Sequence, residues 1–316
     1  PMMISVWQIA PSLRMGNTVV AKPSSYTPLS VLALAEIFNR HLPEGVLTVI
    51  SGNREVGAVM ASHPGFDKIM FTGSTEAGRR IVESSARNLA RLTLELGGND
   101  PGIVLPGTDV SAIAENLFWG CFINTGQTCA ALKRLYVHES VYDQVVDTLA
   151  GMAQAMPMGR GLDEGNVLGP LQNQGQFDIV KDLVDDARER GARIVAGGAP
   201  AEDLGPLFYR TTVVADIDDG ARLVDEEQFG PAIPVIKYSD VDDAVRRANA
   251  SEQGLGASVW SSDVDAAVEV AKRVQAGTVW INQHGALNPV VPFGGTKQSG
   301  YGQEFGVAGL KAVAAP

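Results

Sequence analysis

The pattern of apolar and polar positions divides the chain into alternating helices and strands along most of its length. Helices are expected where apolar residues recur at helical spacing before a glycine or proline, over Met2–Met15, Pro28–Leu42, Val56–Ser62, Ser74–Asn88, Val141–Met156, Gln176–Arg190, Asp242–Ala250 and Val264–Gln275. Strands are expected at short apolar or β-branched runs, over Thr18–Ala21, Val46–Ile50, Lys68–Thr72, Leu92–Leu96, Arg193–Ala196, Ala257–Trp260 and Thr278–Ile281. Such alternation predicts an α/β fold whose parallel sheet is covered on both faces.

The alternation forms two series, which predicts two α/β units in a chain of 316 residues. The first series ends near residue 96, and the pair Gly97-Gly98 is a candidate hinge between the units. The segment that leads to Cys129 shows no strong helix or strand pattern, so it is expected to be a loop or the end of an element.

Composition is that of a globular protein, with 45% hydrophobic and 19% charged residues. A formal net charge of −11 argues against nucleic acid and anionic membranes as partners. The apolar run Met2–Leu13 is too short to span a bilayer. Cys121 and Cys129 are the two cysteines; one disulfide could form in principle, but so few cysteines suit a reducing, cytoplasmic location. No metal site is expected.

Candidate chemistry begins with a thiol and a carboxylate. Cys129 ends the run Phe122-Ile-Asn-Thr-Gly-Gln-Thr-Cys129, and a thiol at the end of an element, near backbone N–H groups, is typical of a thiolate nucleophile. Glu95 lies between two leucines before Gly97, and a desolvated carboxylate is a candidate base. The alternative for an isolated cysteine is a buried inert thiol, and this is our interpretation of Cys121.

Two strand ends are candidate cofactor contacts. Lys22 follows a strand and precedes Pro23, and the run Phe71–Thr75 closes a strand and opens a helix whose free N–H groups favour a phosphate. The ordinary dinucleotide fingerprint G-x-G-x-x-G is missing. Taken singly, Lys22 is better explained as a surface charge, and Ser74 or Thr75 as a plain helix cap.

The order of six motifs is more informative than any one of them. They are Lys22-Pro23, Phe71–Thr75, Glu95–Gly98, Phe122–Cys129, Glu227–Pro231 and Pro292–Gly295. This order resembles the aldehyde dehydrogenase superfamily, in particular its hydrolytic NAD(P)-dependent branch. The resemblance implies a variant Rossmann coenzyme domain over residues 1–97, an α/β catalytic domain over 98–298, and a segment over 299–316 that returns towards the coenzyme domain and an oligomerisation element. It also implies a homodimer or homotetramer for the intact protein.

The chemistry implied by the resemblance oxidises a small-molecule aldehyde to a carboxylic acid. Cys129 would attack the aldehyde carbonyl as a thiolate, and loss of hydride to the nicotinamide would leave a thioester. Glu95 would activate the water that hydrolyses this thioester, and would help to deprotonate the thiol. The backbone N–H of Cys129 would supply half of an oxyanion hole.

The resemblance also assigns cofactor and substrate contacts. The cofactor, NAD or NADP, would be held by Lys22, Ser25, Gly73, Ser74, Leu96, Glu227 and Phe229. Trp7, Phe122 and Phe293 would line the aldehyde tunnel, although these large apolar residues are equally well explained as core. Glu227 has a similar alternative as a surface carboxylate. Ser25 stands where NAD-selective relatives often carry glutamate, so acceptance of NADP is expected.

The chain departs from the family pattern at its start. In the family, an asparagine two residues before the proline that matches Pro1 supplies the side-chain half of the oxyanion hole. This asparagine is absent from the present sequence. Loss of one such donor lowers turnover by about 10²–10³-fold. We therefore expect these residues to be cut from a longer protein and to be inactive by themselves. The end, Gly309–Pro316, is expected to stop short of an intersubunit strand.

The aldehyde is not identified by the sequence. Its choice is expected to depend on Thr128, Ala130 and the loop Gln283–Val291, in which His284 either anchors a polar substrate or, as is commoner, faces solvent.

Three alternatives remain beside the leading hypothesis. A CoA-acylating relative is disfavoured by Glu95, because that branch generally lacks this carboxylate. A cysteine hydrolase is disfavoured because the four histidines lie in no motif that pairs them with Cys129. A non-catalytic remnant would keep the fold, or cofactor binding without turnover.

Overall fold

The computed structural model describes residues 2–314. Its helices are α1 Met2–Arg14, α2 Leu29–Asn39, α3 Arg54–Ser62, α4 Thr75–Ser85, α5 Val110–Phe122, α6 Tyr142–Ala155, α7 Gln174–Glu189, α8 Arg222–Asp225, α9 Val241–Asn249, α10 Val264–Ala271 and α11 Gly306–Ala312. Its strands are β1 Val19–Ala21, β2 Leu47–Val49, β3 Lys68–Thr72, β4 Arg91–Glu95, β5 Asp100–Val104, β6 Leu132–His138, β7 Arg193–Ala196, β8 Thr212–Ala215, β9 Ala232–Tyr238, β10 Gln253–Gly254, β11 Gly256–Trp260, β12 Thr278–Ile281, β13 Thr296–Lys297 and β14 Gly300–Tyr301. Pro1, on which the expectation about the missing asparagine rests, and the last two residues of the predicted return segment lie outside the described residues.

The chain forms two compact units. The central unit is Gly97–Ala286, and the terminal unit comprises the residues up to Leu96 together with those from Leu287 onward. The boundary at Gly97 coincides with the candidate hinge. Within residues 2–314, no helix combines the length and the apolar character needed to cross a membrane.

The terminal unit contains short sheets covered by helices. Strands β1 and β2 pair in parallel, as do β3 and β4, while β14 runs antiparallel to β4. The expectation of one parallel sheet is therefore wrong for this unit, because residues from the far end of the chain supply an antiparallel strand. Two helices of this unit begin at side-chain caps: Asn53 accepts backbone N–H bonds at α3, and Ser74 accepts one at α4.

The central unit is built on one seven-stranded sheet in the order β12-β11-β5-β6-β9-β8-β7. Neighbouring strands are parallel except for the antiparallel pair β7 and β8 at one edge. Two clusters of buried apolar residues pack against this sheet, one with α7, α9 and α10 and the other with α5 and α6. Apolar side chains on both sheet faces explain why its central strands are buried throughout.

Every predicted helix and strand is present, with ends that differ by no more than four residues. The expectation for the segment that leads to Cys129 agrees with the structure, since α5 ends at Phe122 and Cys129 lies in the loop between α5 and β6. Helix α5 and strands β5, β6, β8 and β9 were not predicted. The structure is an α/β fold with mixed sheets, so the predicted fold class is confirmed.

Candidate active site

Cys129 follows a sharp left-handed turn in the central unit. After α5 ends at Phe122, three consecutive residues have positive φ: Asn124 at 53°, Thr125 at 59° and Gly126 at 71°. Left-handed backbone costs L-residues roughly 1–2 kcal/mol each, so such a turn persists only where its surroundings fix it. The turn reverses the chain and leaves the Cys129 side of the loop partly exposed.

The two cysteines lie in different environments, and they form no disulfide. Cys121 is buried inside α5, and burial raises the pKa of its thiol well above the usual value. Cys129 is partly exposed. The accessible thiol is therefore that of Cys129, as the sequence predicts for a nucleophile.

Side chains of the loop itself fix its turn. The hydroxyl of Thr125 donates to the carbonyl of Gly169 over 3.1 Å and accepts from the N–H of the same residue over 3.0 Å. The amide of Gln127 donates to the Pro170 carbonyl at 3.1 Å and accepts from the Gln172 N–H at 2.8 Å. These four bonds join the Cys129 loop, residues 123–129, to the segment 169–172.

Lys133, which the sequence did not single out, contacts the same loop from β6. Its side chain is 2% exposed, and its ammonium donates to the carbonyl of Gly126 at 2.7 Å and of Gly230 at 3.0 Å. Burial lowers the pKa of Lys133 to about 8, against the opposing charge of Glu227. The ammonium thus connects the Cys129 loop to the motif Glu227–Pro231.

Glu227 is held against the backbone of the Gly97-Gly98 pair. Its Oε1 accepts from the Gly98 N–H at 3.1 Å, and a Cβ at Gly97 would collide with its Oε2. Burial raises the pKa of Glu227 to about 7, while the Gly98 N–H and the Lys133 charge oppose this rise. Phe229, two residues on, is partly buried. Glu227 differs in this from the exposed Glu226 beside it, and the surface alternative does not describe it.

A buried acid–imidazole pair lies in the same unit. The Nε2 of His284 lies 3.4 Å from Oδ2 of Asp100, and both side chains are almost wholly buried. The other ring nitrogen lies 2.9 Å from the hydroxyl of Ser258, which accepts from the indole N–H of Trp260 at 2.8 Å. Burial raises the pKa of Asp100. The interpretation that His284 faces solvent is wrong, because its ring is buried inside the fold beside Asp100 and Ser258.

Glu95 ends β4 in the terminal unit. Its side chain is 4% exposed, and burial raises its pKa to about 8, with a further increase from the nearby charge of Glu304. Glu304 accepts from the amide of Gln8 at 3.0 Å, and burial raises its pKa as well. Glu304 was missed by the sequence reasoning; its signal was a lone acidic residue after a glycine-rich run, in a segment with no apolar periodicity.

The segment after Pro292 supports this pair of carboxylates. Phe293 and Glu304 exchange two backbone hydrogen bonds, at 2.9 and 2.8 Å. Phe293 is buried, whereas Trp7 is partly exposed and meets the Phe305 ring edge-on at a centroid distance of 4.8 Å. Phe122, in the central unit, is fully buried among the core aromatics, as its core alternative predicts.

Lys22 and Ser25 follow β1 in the terminal unit. The ammonium of Lys22 donates to the carbonyls of Pro23 at 3.0 Å and Gly52 at 3.2 Å. Ser25 lies exposed in a turn. Both therefore lie beyond the carboxyl end of a parallel strand, where nucleotides bind in open α/β sheets.

Gly73 and Ser74 lie at the corresponding position after β3. Gly73 donates its N–H to the Glu95 carbonyl at 3.0 Å, and the Ser74 hydroxyl caps α4 by accepting from the Ala77 N–H at 3.3 Å. The N–H of Leu96 donates to Ser299 at 3.0 Å, so a cofactor contact of the Leu96 backbone would come from its carbonyl oxygen.

The predicted site residues divide between the units. The terminal unit holds Trp7, Lys22, Ser25, Gly73, Ser74, Glu95, Leu96 and Phe293. The central unit holds Phe122, Cys129, Glu227 and Phe229, and adds Lys133, Asp100 and His284. Each unit thus has its own cluster of buried titratable groups.

Comparison with known proteins gives consistent similarities. The sequence model of the aldehyde dehydrogenase family matches residues 1–315. A phenylacetaldehyde dehydrogenase of Pseudomonas fluorescens is 41% identical over 314 residues, which are 98% of this chain and 62% of that protein. Retinaldehyde dehydrogenase 3 of Homo sapiens is 40% identical over 309 residues, covering 97% of this chain and 60% of that protein. A crystal structure of a Mycobacterium tuberculosis aldehyde dehydrogenase complexed with NAD⁺ superposes with a TM-score of 0.96 at 38% identity, over 99% of this chain and 65% of that one. The chain spans 60–62% of the length of the two curated relatives.

Proposed function

This chain belongs to the aldehyde dehydrogenase family, and we propose that the full-length protein oxidises an aldehyde to a carboxylic acid with NAD or NADP as hydride acceptor. One observation carries the proposal: of the two cysteines, the partly exposed one follows a left-handed turn that is fixed by hydrogen bonds on several sides. A thiol held in this way is pre-positioned for attack on a carbonyl.

The residues present fit a nicotinamide cofactor. Lys22 follows β1 and Ser74 opens α4 after β3, which gives a cation and a helix N-terminus for ribose and pyrophosphate. Glu227, fixed through one carboxylate oxygen by the Gly98 N–H, would hold the nicotinamide ribose beside Phe229. Bound NAD or NADP supplies the hydride acceptor. A crystallised relative from Mycobacterium tuberculosis carries NAD⁺, which supports this assignment.

The covalent chemistry is assigned to Cys129. Its thiolate attacks the aldehyde carbon and forms a thiohemiacetal, and loss of hydride from that carbon leaves a thioester on the sulfur. Glu95 then removes a proton from the water that attacks the thioester, and the acid is released as Cys129 regains its thiolate. With a pKa near 8, Glu95 is a stronger base than an ordinary carboxylate. The negative charge of the nearby Glu304 contributes to the raised pKa of Glu95, so the two carboxyl groups form one acid–base pair.

A cysteine–histidine hydrolase receives no support. The side chain of His284 is buried, with Ser258 beside one ring nitrogen and Asp100 beside the other. Trp7 remains the better candidate for an aldehyde contact, since Phe293 and Phe122 are buried. Assembly as a homodimer or homotetramer stays a prediction from the resemblance.

The test is a pair of cysteine variants in the full-length protein. Cys129→Ser is expected to lower aldehyde-dependent NADH or NADPH formation by at least about 10³-fold, as loss of a catalytic nucleophile does. The matched control, Cys121→Ala, removes the buried thiol and should retain most of the activity. Equal activity of Cys129→Ser and the native protein would refute the proposed function. Titration with both cofactors gives the preference; strong rejection of NADP would refute the inference from Ser25.

A further inference from the structure

Lys133 occupies an unusual place for a lysine, the interior of the central unit. It belongs to β6, the middle strand of the seven-stranded sheet, and its side chain is 2% exposed. A buried ammonium is costly unless hydrogen bonds and opposite charges compensate it. Two carbonyl oxygens do so here, that of Gly126 at 2.7 Å and that of Gly230 at 3.0 Å.

The two carbonyls belong to different functional segments. Gly126 ends the left-handed turn before Cys129, and Gly230 lies three residues after Glu227. Gly126 could not carry a side chain, because a Cβ there would collide with the Gly230 carbonyl. The Cys129 loop therefore contacts the segment Glu227–Pro231 at this point, and the Lys133 ammonium is hydrogen-bonded to both.

The titratable groups around Lys133 also connect it to Glu227. Glu227, Cys121 and Asp100 each act to raise the pKa of Lys133, but burial has the larger effect and lowers this pKa to about 8. The positive charge of Lys133 in turn opposes the rise in the pKa of Glu227. Lys133 thus acts on Glu227 electrostatically and on both backbone segments by hydrogen bonding.

We propose that Lys133 is a positioning residue that couples the Cys129 loop to the cofactor-binding carboxylate, so that Cys129 and Glu227 keep a fixed mutual geometry. The inference rests on the proposed function for the roles of Cys129 and Glu227. Its geometric basis is the pair of hydrogen bonds from one ammonium on the rigid strand β6. Without them, the turn at Asn124–Gly126 loses the donor that holds its last carbonyl.

The test compares Lys133→Met with Lys237→Met in the full-length protein, with alkylation read at the peptide that contains Cys129. Methionine keeps the chain length of lysine without the donors, and Lys237 is an exposed lysine on the adjacent strand β9 whose ammonium lies over the Tyr142 ring. Two quantities are measured: the rate at which iodoacetamide alkylates Cys129, and the change in that rate when NAD is saturating.

Loss of the charged donor in Lys133→Met is expected to change the alkylation rate by roughly tenfold or more, the usual effect of a buried charge-assisted bond. We expect NAD to alter the rate in the native protein and in Lys237→Met, and to alter it far less in Lys133→Met. A purely structural role would lower the unfolding temperature without removing this response. Lys133→Gln, which keeps amide donors, should restore part of it and serves as the test if Lys133→Met does not fold.

Two results would count against the inference: a Lys133→Met protein that alkylates like the native one, or an unchanged response to NAD. Failure of the native protein to bind either cofactor contradicts the proposed function instead. The alkylation rate without cofactor would then still decide whether Lys133 positions the Cys129 loop.

Discussion

At the scale of single residues, the two candidate catalytic groups owe their chemistry to opposite kinds of environment. Cys129 is partly exposed on a fixed loop, while Glu95 is almost wholly buried near a second carboxylate. Because the pKa of Glu95 is about 8 in the folded protein and 4.5 in the reference state, folding favours its protonated form. Glu95 therefore reduces the free energy of unfolding progressively as the pH rises from 4.5 towards 8, and by a constant amount above that range.

Glu95→Gln separates the two chemical steps. The variant is expected to retain a first release of reduced cofactor, slowed only as far as Glu95 assists deprotonation of the Cys129 thiol, and to lose about 10²–10⁴-fold in steady-state turnover. Stopped-flow absorbance at the reduced nicotinamide band measures both phases. Glu83→Gln, an exposed glutamate on α4, is the matched control and should behave like the native protein.

The pH dependence of the rate also tests the role of Glu95 in hydrolysis. Water activation needs the deprotonated carboxylate, so hydrolysis in the native protein should accelerate as the pH rises through about 8. This increase of the rate with pH should be absent from the steady-state rate of Glu95→Gln. If the variant still shows the increase, a group other than Glu95 causes it.

At the scale of elements, the left-handed turn between α5 and β6 is the feature on which the position of Cys129 depends. Gly126→Ala is expected to lower the free energy of unfolding by roughly 1–3 kcal/mol, since alanine disfavours positive φ and its Cβ would meet the Gly230 carbonyl. Gly151→Ala in α6 is the matched control, because a Cβ there has open space. It should raise stability by about 0.5–1 kcal/mol. Urea unfolding measures both, and equal effects of the two substitutions would contradict this account of the turn.

The elements also explain what the sequence predicts well and what it does not. Amphipathic helices such as α7 and β-branched strands such as β12 follow simple periodicity and were found within a few residues. Helix α5 is apolar on most sides and buried along much of its length, so it has no polar face to set a period. Strand β6 contains two buried cations, Lys133 and Arg134. In the sequence alone such charged residues are typical of a polar loop, because the carbonyl groups that bind them lie elsewhere in the chain.

The residues of the candidate site also fall into a predicted group and an unpredicted group. Cys129 and Glu95 were predicted because each lies in one of the six ordered motifs. Glu304 and Lys133 were not, since their importance comes from neighbours far away in sequence: Gln8 for one, Gly126 and Gly230 for the other. The buried position of His284 depends on Asp100 and was likewise beyond local pattern.

At the scale of the whole molecule, the two units differ in the size of their apolar cores. Among the described residues, the buried apolar side chains of the central unit form two large clusters on its sheet, whereas the terminal unit has few: Ile9, Val31, Ala35, Leu47, Ala61, Leu94, Leu96, Phe293 and Val313. Burial of apolar area is the main source of stability, so the terminal unit should open more readily.

Hydrogen exchange read by mass spectrometry checks this difference. Amides of β5, β6 and β9 are expected to exchange at least roughly tenfold more slowly than those of β1 and β2. The seven-stranded sheet supplies the internal reference, since its edge strand β7 should exchange faster than its centre. Equal protection of β1 and β6 would contradict the proposed order of stability.

The terminal unit is discontinuous in sequence, and this has a consequence for the order of events during translation. Glu95 pairs through its strand with Gly300, and its neighbour Glu304 follows a few residues later. At about 5–20 residues per second, a ribosome needs roughly 10–40 s to make the intervening central unit. Throughout that interval β4 has its parallel partner but lacks the antiparallel one. The Cys129 loop can therefore form before β14 pairs with β4 and before Glu304 comes to lie near Glu95.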